Sequence, residues 1–288
     1  MTRRNNEERS GVKDFAPDLP IPPIVQDKPE QEHAFSFTLP TQFVELPSRG
    51  RYYPEGHPLH GRESIEIRYM IAKDEDILSS KTLLKKGVAI DRFLQNIIMD
   101  KSIRLDDMLV GDKNALMIAA RITGYGESYE TKVTCPSCAG VSEYDFNLLL
   151  CPINHAEDYD SYGLKVDPEG YFLLKLPISG VEVKFRLLRG NDEKKISSMV
   201  TRKKKNKLPE SIVTDLFKSL IVSVNGDERP GLISNFINVM PARDSRFLRE
   251  AYEASMPTID MSHEFLCEHC GSETILEVPL NAEFFWPK

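Results

Sequence analysis

Tyr129-Glu-Thr-Lys-Val-Thr-Cys-Pro-Ser-Cys-Ala-Gly140 and His263-Glu-Phe-Leu-Cys-Glu-His-Cys-Gly271 are the two stretches that decide the fold. Each enters a C-x-x-C from an alternating, strand-like segment. Each leaves it through a glycine into a second one, Glu143 to Leu149 or Thr274 to Leu280. A strand, a tight cysteine turn and a strand make a zinc knuckle, whose turn aims two sulfurs and several N–H groups at one point. Two knuckles supply the four thiolates of a closed tetrahedral site, here Cys135, Cys138, Cys267 and Cys270. Such a site takes a structural zinc and leaves no open position for substrate.

The spacing is unusual. Zinc ribbons separate their knuckles by about 15–20 residues, whereas 128 residues lie between Cys138 and Cys267. Laying the two halves against each other explains why. Ile65-Glu-Ile-Arg-Tyr-Met-Ile71 matches Val181-Glu-Val-Lys-Phe-Arg-Leu187 in character, and Asp74-Glu75 with Ser79-Ser80 matches Asp192-Glu193 with Ser197-Ser198. Both halves then run through helical patterns to a C-x-x-C and a closing strand. The pattern predicts an α+β fold of internally duplicated strand–helices–zinc-knuckle repeats related by a pseudo-twofold, with an extended N-terminal arm. The expected divisions are an arm at 1–34, a strand and turn lead-in at 35–63, and copy one at 64–150. A connection with a hairpin strand follows at 151–179, then copy two at 180–288.

Other readings of the cysteines stay open on sequence alone. Cys135, Cys138, Cys151 and His155 have the C-x2-C-x12-C-x3-H spacing of a local finger, which would strand Cys267 and Cys270. A redox dithiol would need its first thiol at a helix N-terminus, but these motifs sit between strands. Disulfides suit secreted chains, and no leader-like or membrane-length apolar stretch is present. Cys151 reads as a small buried hydrophobe.

A chain of 288 residues with 41% apolar content has enough material for one or two cored domains. Its net charge of −7 argues against nonspecific nucleic-acid binding, which wants a basic face. Residues 1–33 are polar, then proline-rich, and cannot build a core. Phe15, Leu19, Ile21 and Ile24, interleaved with prolines, suit an arm that docks on a neighbouring subunit.

Further along, alternation predicts strands at 35–39, 41–46, 64–71, 171–176 and 181–188. Pro47-Ser-Arg-Gly50 reads as a turn, and Arg49, Arg51, Tyr52 and Tyr53 as exposed partner anchors beside it. Helices are expected from Asp74, through Ile90 to Ile98, from an Asp112 cap to Gly124, and from Asn191 or Asp192. Others are expected from Pro209, at 232–239 and at 241–255. Residues 151–170 read as polar connection, Asn225-Gly226 as a tight turn, and the terminal Phe284-Phe-Trp-Pro287 as a docked cluster. Arg202-Lys-Lys-Lys205 with Lys207 is the one basic run; it lacks interleaved aromatics. No phosphate loop, helical metal-binding histidine pair or nucleophile–base set occurs, so catalysis has no candidate.

Leu46-Pro-Ser-Arg-Gly-Arg-Tyr-Tyr53, Gly124-Tyr-Gly126, the Val133-Thr-Cys-Pro-Ser-Cys138 knuckle and Phe284-Phe-Trp-Pro287 resemble the T-even-type bacteriophage baseplate hub and hub-assembly proteins of contractile tails. The resemblance runs from about residue 40 to the C-terminus. It implies a non-enzymatic subunit or assembly factor of the tail baseplate, made in the infected bacterial cytoplasm, with other tail proteins as partners. The arm departs from the compact core of that family. The alternative is a zinc-knuckle nucleic-acid-binding or regulatory protein using Arg202 to Lys207.

Overall fold

The computed structural model describes residues 38–205, 211–280 and 282–285. The expected arm therefore lies outside the described residues, as do Pro209 and Trp286-Pro287. From Leu39 onward the chain forms one compact unit. Among the described residues it is mixed α+β, with small antiparallel sheets only.

β1 (Thr41–Glu45) and β2 (Ser64–Arg68) pair as an antiparallel hairpin. Its long connection begins with the Pro47-to-Gly50 turn, where Gly50 has φ +71 and a Cβ would lie 2.4 Å from the Arg62 amide nitrogen. Only glycine fits there. Three helices follow: α1 (Ala72–Ser79), α2 (Lys81–Lys85) and α3 (Ala89–Ile97). α3 buries Ala89, Phe93, Leu94 and Ile97, one face of a 3.6-residue period. Ile98 then bridges back to Ile67 of β2. α4 (Val110–Tyr125) leads into the hairpin of β3 (Ser128–Thr134) and β4 (Val141–Asn147), which carries the first knuckle.

The stretch 151–170, expected as plain polar connection, contains two short strands instead. β5 (Ile153–Asn154) pairs with a strand near the C-terminus, and β6 (Lys165–Val166) opens a four-stranded antiparallel meander. The meander continues with β7 (Phe172–Lys175), β8 (Glu182–Phe185) and β9 (Ile221–Val224). α5 (Gly190–Lys205) and α6 (Ile212–Leu220) connect β8 to β9. Asn225 and Gly226 both take positive φ after β9, the predicted tight turn. α7 (Pro230–Val239) and α8 (Ala242–Ser255) precede β10 (Thr258–Ile259), the partner of β5. β11 (Ser262–Leu266) and β12 (Glu273–Glu277) form the second knuckle hairpin.

Buried aspartates hold the ends of this frame. Arg68 grips Asp74 with both guanidinium nitrogens at 2.6 and 2.8 Å, and the Ile71 amide donates to the same carboxylate. Arg186 grips Asp192 at the same two distances, and the Arg189 amide completes the set. The fork like that of Arg68 is thus made by Arg186, two residues on from Lys184, the residue set against Arg68 in the sequence match. An alternating strand reads the same after a two-residue slip, so hydrophobic pattern could not fix that register. Asp112 is not the expected cap of its own helix. It stands at the third position of α4 and accepts from the Ser48 amide, the Ser48 hydroxyl and the Tyr53 hydroxyl. Asp244, third in α8, accepts from the Ile178 and Ser179 amides.

Of the expected C-terminal cluster, Phe284 and Phe285 are docked. Phe284 and Phe285 are buried in a short 3-10 turn, Phe285 edge-on to Phe93 and Phe284 edge-on to Tyr129. Arg121, also buried, donates to the carbonyls of Phe284, Gly126 and Ser128.

Candidate metal centre

The knuckles face each other because their hairpins pack inner face to inner face. Alternation turns Tyr144 and Phe146 of β4 and His263 and Phe265 of β11 inward. Tyr144 lies edge-on to Phe265 and Phe146 edge-on to His263. The Tyr144 hydroxyl donates to the Glu264 carbonyl at 2.7 Å, and His263 Nε2 lies 3.0 Å from the Asn147 carbonyl oxygen. Both histidine contacts are to backbone, so His263 is spent on the hairpin seam.

Each cysteine turn is closed the same way. The Cys135 amide donates to Gly140 O and the Ala139 amide to Cys135 O; the Cys267 amide donates to Ser272 O and the Gly271 amide to Cys267 O. Ala139 and Gly271 both take positive φ, near 57° and 67°. Glycine adopts that conformation freely, while Ala139 carries a small strain the turn must hold.

The result brings Cys135, Cys138, Cys267 and Cys270 together, with all four sulfurs within 4.8 Å of one another. Cys135 Sγ and Cys270 Sγ are 3.9 Å apart, Cys138 Sγ and Cys267 Sγ 3.7 Å. A disulfide needs about 2.05 Å. Tetrahedral zinc with Zn–S of about 2.3 Å needs sulfurs about 3.8 Å apart. The donor set therefore fits a zinc ion. Cys135 and Cys267 are buried and Cys138 and Cys270 exposed. The amides of Cys138 and Ser137 point at Cys135 and pull its thiol down to about 6. At Cys270 the Ser272 amide also lowers the thiol. Its hydrogen bonds to the three neighbouring cysteines outweigh that and push it up to about 12, because Cys270 stays the protonated donor among them. Four thiolates share such a space only around a cation.

The local finger is not formed. Cys151 is buried away from the cluster, and burial pushes its thiol up to about 11, which suits an inert hydrophobe. His155 Nδ1 lies 2.9 Å from the Pro47 carbonyl oxygen, and its other nitrogen faces Glu45.

Of the expected partner anchors, Phe15, Leu19, Ile21 and Ile24 lie outside the described residues. Arg49 is half-buried and paired with Glu157. Tyr52 and Tyr53 are not exposed. The Tyr53 hydroxyl donates to Asp112 and accepts from the Leu109 amide, and Tyr52 packs against Phe172. Tyr53 ties the turn to the start of α4, while Tyr52 ties it to β7. The Asp112, Asp244 and Arg121 contacts join residues far apart in the chain, where local pattern carries little of them. The two aspartates carry a signal, since their separation equals that of Cys135 and Cys267.

These features, a mixed α+β frame closed by a four-cysteine cluster at paired hairpins, define a scaffold whose two hairpins meet at a four-thiol site of metal-binding dimensions. The profile of the family described as T4 bacteriophage base plate protein matches residues 40–286, which covers both knuckles and the whole described frame. The chain belongs to this T4-type phage baseplate family. No curated protein and no solved structure matches it. Among the described residues no helix is long and apolar enough to cross a membrane.

Proposed function

We propose that this protein is a structural subunit or assembly factor of the hub region of a contractile-tail baseplate, acting through protein contacts and not by catalysis. The observation that carries this is the match over residues 40–286, continuous through both knuckles. Its site in the virion is the tail baseplate, after assembly in the host cytoplasm, among other tail proteins. The four-cysteine cluster holds a structural zinc, which locks the two hairpins together. Residues 1–34 serve as a partner arm through Phe15, Leu19, Ile21 and Ile24, with Arg49 as a further contact.

An internal duplication accounts for the recurring contacts. The Arg68–Asp74 and Arg186–Asp192 forks, the Asp112 and Asp244 turn locks, and the two knuckles occur in one order in each half. A pseudo-twofold pairing of the halves would bring one knuckle from each to a shared metal.

Fractionating assembled tails with an antibody to this chain tests the reading. Co-migration with baseplates is expected, and a chain absent from tails and from every assembly intermediate overturns it. Deleting residues 1–30 is expected to impair incorporation while leaving zinc content unchanged. The competing nucleic-acid reading rests on Arg202 to Lys207. It requires DNA or RNA affinity that falls steeply with salt.

A further inference from the structure

We propose that Ser137 and His269, the third residues of the two cysteine turns, are positioning residues of the metal centre, and that His269 governs how fast the metal leaves it. In Cys135-Pro-Ser-Cys138 and Cys267-Glu-His-Cys270 the second spacer is Ser137 or His269. Both cross to the opposite knuckle. Ser137 Oγ lies 3.0 Å from Ser272 Oγ, and His269 Nε2 lies 3.2 Å from the Val141 carbonyl oxygen. The His269 ring also lies against Gly140. Ser137 stands to Ser272 as His269 stands to Gly140, because Ser137 and His269, like Gly140 and Ser272, have the separation of Cys135 from Cys267. The sulfurs obey the same exchange, Cys135 beside Cys270 and Cys138 beside Cys267. Reciprocal contacts of this kind are what two equivalent loops make when they face each other.

The two contacts differ in size, and the residues differ with them. Ser272 has a side chain that meets Ser137. At Gly140 a Cβ would lie 2.6 Å from His269 Cδ2 and 3.2 Å from Cys138 Sγ, so the ring and the sulfur flank one point. Gly140 is not among the glycines of positive φ, so space and not backbone conformation asks for glycine there. Gly271 is the opposite case, with φ +67 and nothing within 4 Å of its Cβ. The Gly140 amide donates to Cys138 Sγ at 3.4 Å. His269 thus holds the residue whose N–H orients an exposed sulfur, and it stands next in the chain to Cys270, the other exposed one. Cys135 and Cys267 are buried, so a competing chelator meets the centre first at Cys138 and Cys270. Groups that fix ligands without binding the metal typically change metal affinity by about 10–100-fold. The inference rests on the zinc reading of these four cysteines.

Zinc content by mass spectrometry and the rate at which excess EDTA removes the zinc, both on the full chain, test it. His269→Ala is expected to keep the zinc content of the unaltered chain and to lose the metal at least about tenfold faster. His269→Gln returns an N–H to the Val141 carbonyl and should recover part of the difference. Ser137→Ala should act in the same direction as His269→Ala, through Ser272. Gly140→Ala should speed release in the unaltered chain and add less in His269→Ala, because the ring it would strike is gone. With cobalt in place of zinc, His269→Ala should leave the visible bands of a tetrathiolate site unchanged, since the imidazole is not a ligand. Should His269→Ala fail to retain zinc, Gly140→Ala carries the test alone, with faster release expected and an unchanged rate overturning the proposal. Unchanged release in His269→Ala or Ser137→Ala, an equal effect of Gly140→Ala with and without His269, or cobalt bands altered by His269→Ala would each overturn the proposal and leave the zinc reading standing. A full chain that takes up no zinc would overturn both.

Discussion

Asp112 and Asp244 occupy the third position of their helices, α4 and α8, and each accepts hydrogen bonds from the turn of the strand pair that precedes it. Both carboxylates are fully buried. Their donors differ in kind. Asp112 receives one amide and two hydroxyls, from Ser48 and Tyr53, whereas Asp244 receives two amides, from Ile178 and Ser179. That difference separates their responses to substitution and to pH.

A hydroxyl can reverse its role and accept, but an amide N–H cannot. Asp112→Asn can turn its new amide toward Ser48 Oγ or Tyr53 Oη and should cost less than about 1 kcal/mol. Asp244→Asn must set an NH2 against a backbone donor and should cost about 1–3 kcal/mol. Urea midpoints for the two variants check the order. Equal losses would show that the donor types do not decide the matter.

The pH dependence should also split. Burial raises the Asp112 pKa above its ordinary 3.8, and the Ser48 and Tyr53 hydrogen bonds do not fully offset it. Folded Asp112 thus holds its proton more tightly than unfolded. Its contribution is fully present below about pH 3.8 and falls as pH rises through the higher folded value. Burial also raises Asp244, but the Ile178 and Ser179 donors outweigh it and leave the pKa below 3.8. Its contribution is present above about pH 3.8 and is lost as pH falls through the folded value. Stability measured from pH 3 to pH 7 should therefore show the gap between unaltered chain and Asp112→Asn shrinking with pH. The gap for Asp244→Asn should grow.

Much of this was legible in the chain. The helices through Phe93, Leu248 and Tyr252, the knuckle hairpins and the Asn225-Gly226 turn follow from apolar period and turn chemistry, which are local. The roles of Tyr52, Tyr53 and Asp112 were misread because an aromatic pair after a turn looks the same whether it caps a helix or faces solvent. Only the long-range approach of α4 to the Ser48 turn distinguishes them. Two-residue strands such as β5 are equally silent, since their pairing is set by a partner about a hundred residues away.

For the metal, Cys135→Ser and Cys267→Ser should each abolish zinc binding and much of the folding, since structural zinc contributes on the order of 10 kcal/mol in small domains. Cys151→Ser should keep full zinc, being outside the cluster. Metal content by mass spectrometry, alongside thermal melts, reads both. Zinc retained in Cys267→Ser and lost in Cys151→Ser would restore the local finger.

Arg121 supplies the last prediction. Its guanidinium binds three carbonyl oxygens that belong to three different pieces of chain: the end of α4 at Gly126, the start of β3 at Ser128, and Phe284. The rings of Tyr125 and Tyr129 lie 5.1 and 5.7 Å from its charged carbon, which adds cation–π attraction. Burial lowers its pKa, so the protein works against desolvation to keep the charge there. Arg121→Ala would strand those carbonyls and open a hole beneath Phe284, at about 3 kcal/mol or more. Arg121→Lys keeps the charge but offers a point donor in place of a planar fork, and should recover only part of the loss. The released segment should show first in limited proteolysis near the C-terminus, before global unfolding and with zinc still bound. Simultaneous loss of zinc and C-terminal protection would mean that Arg121 supports the knuckles as a whole instead of clamping the chain end.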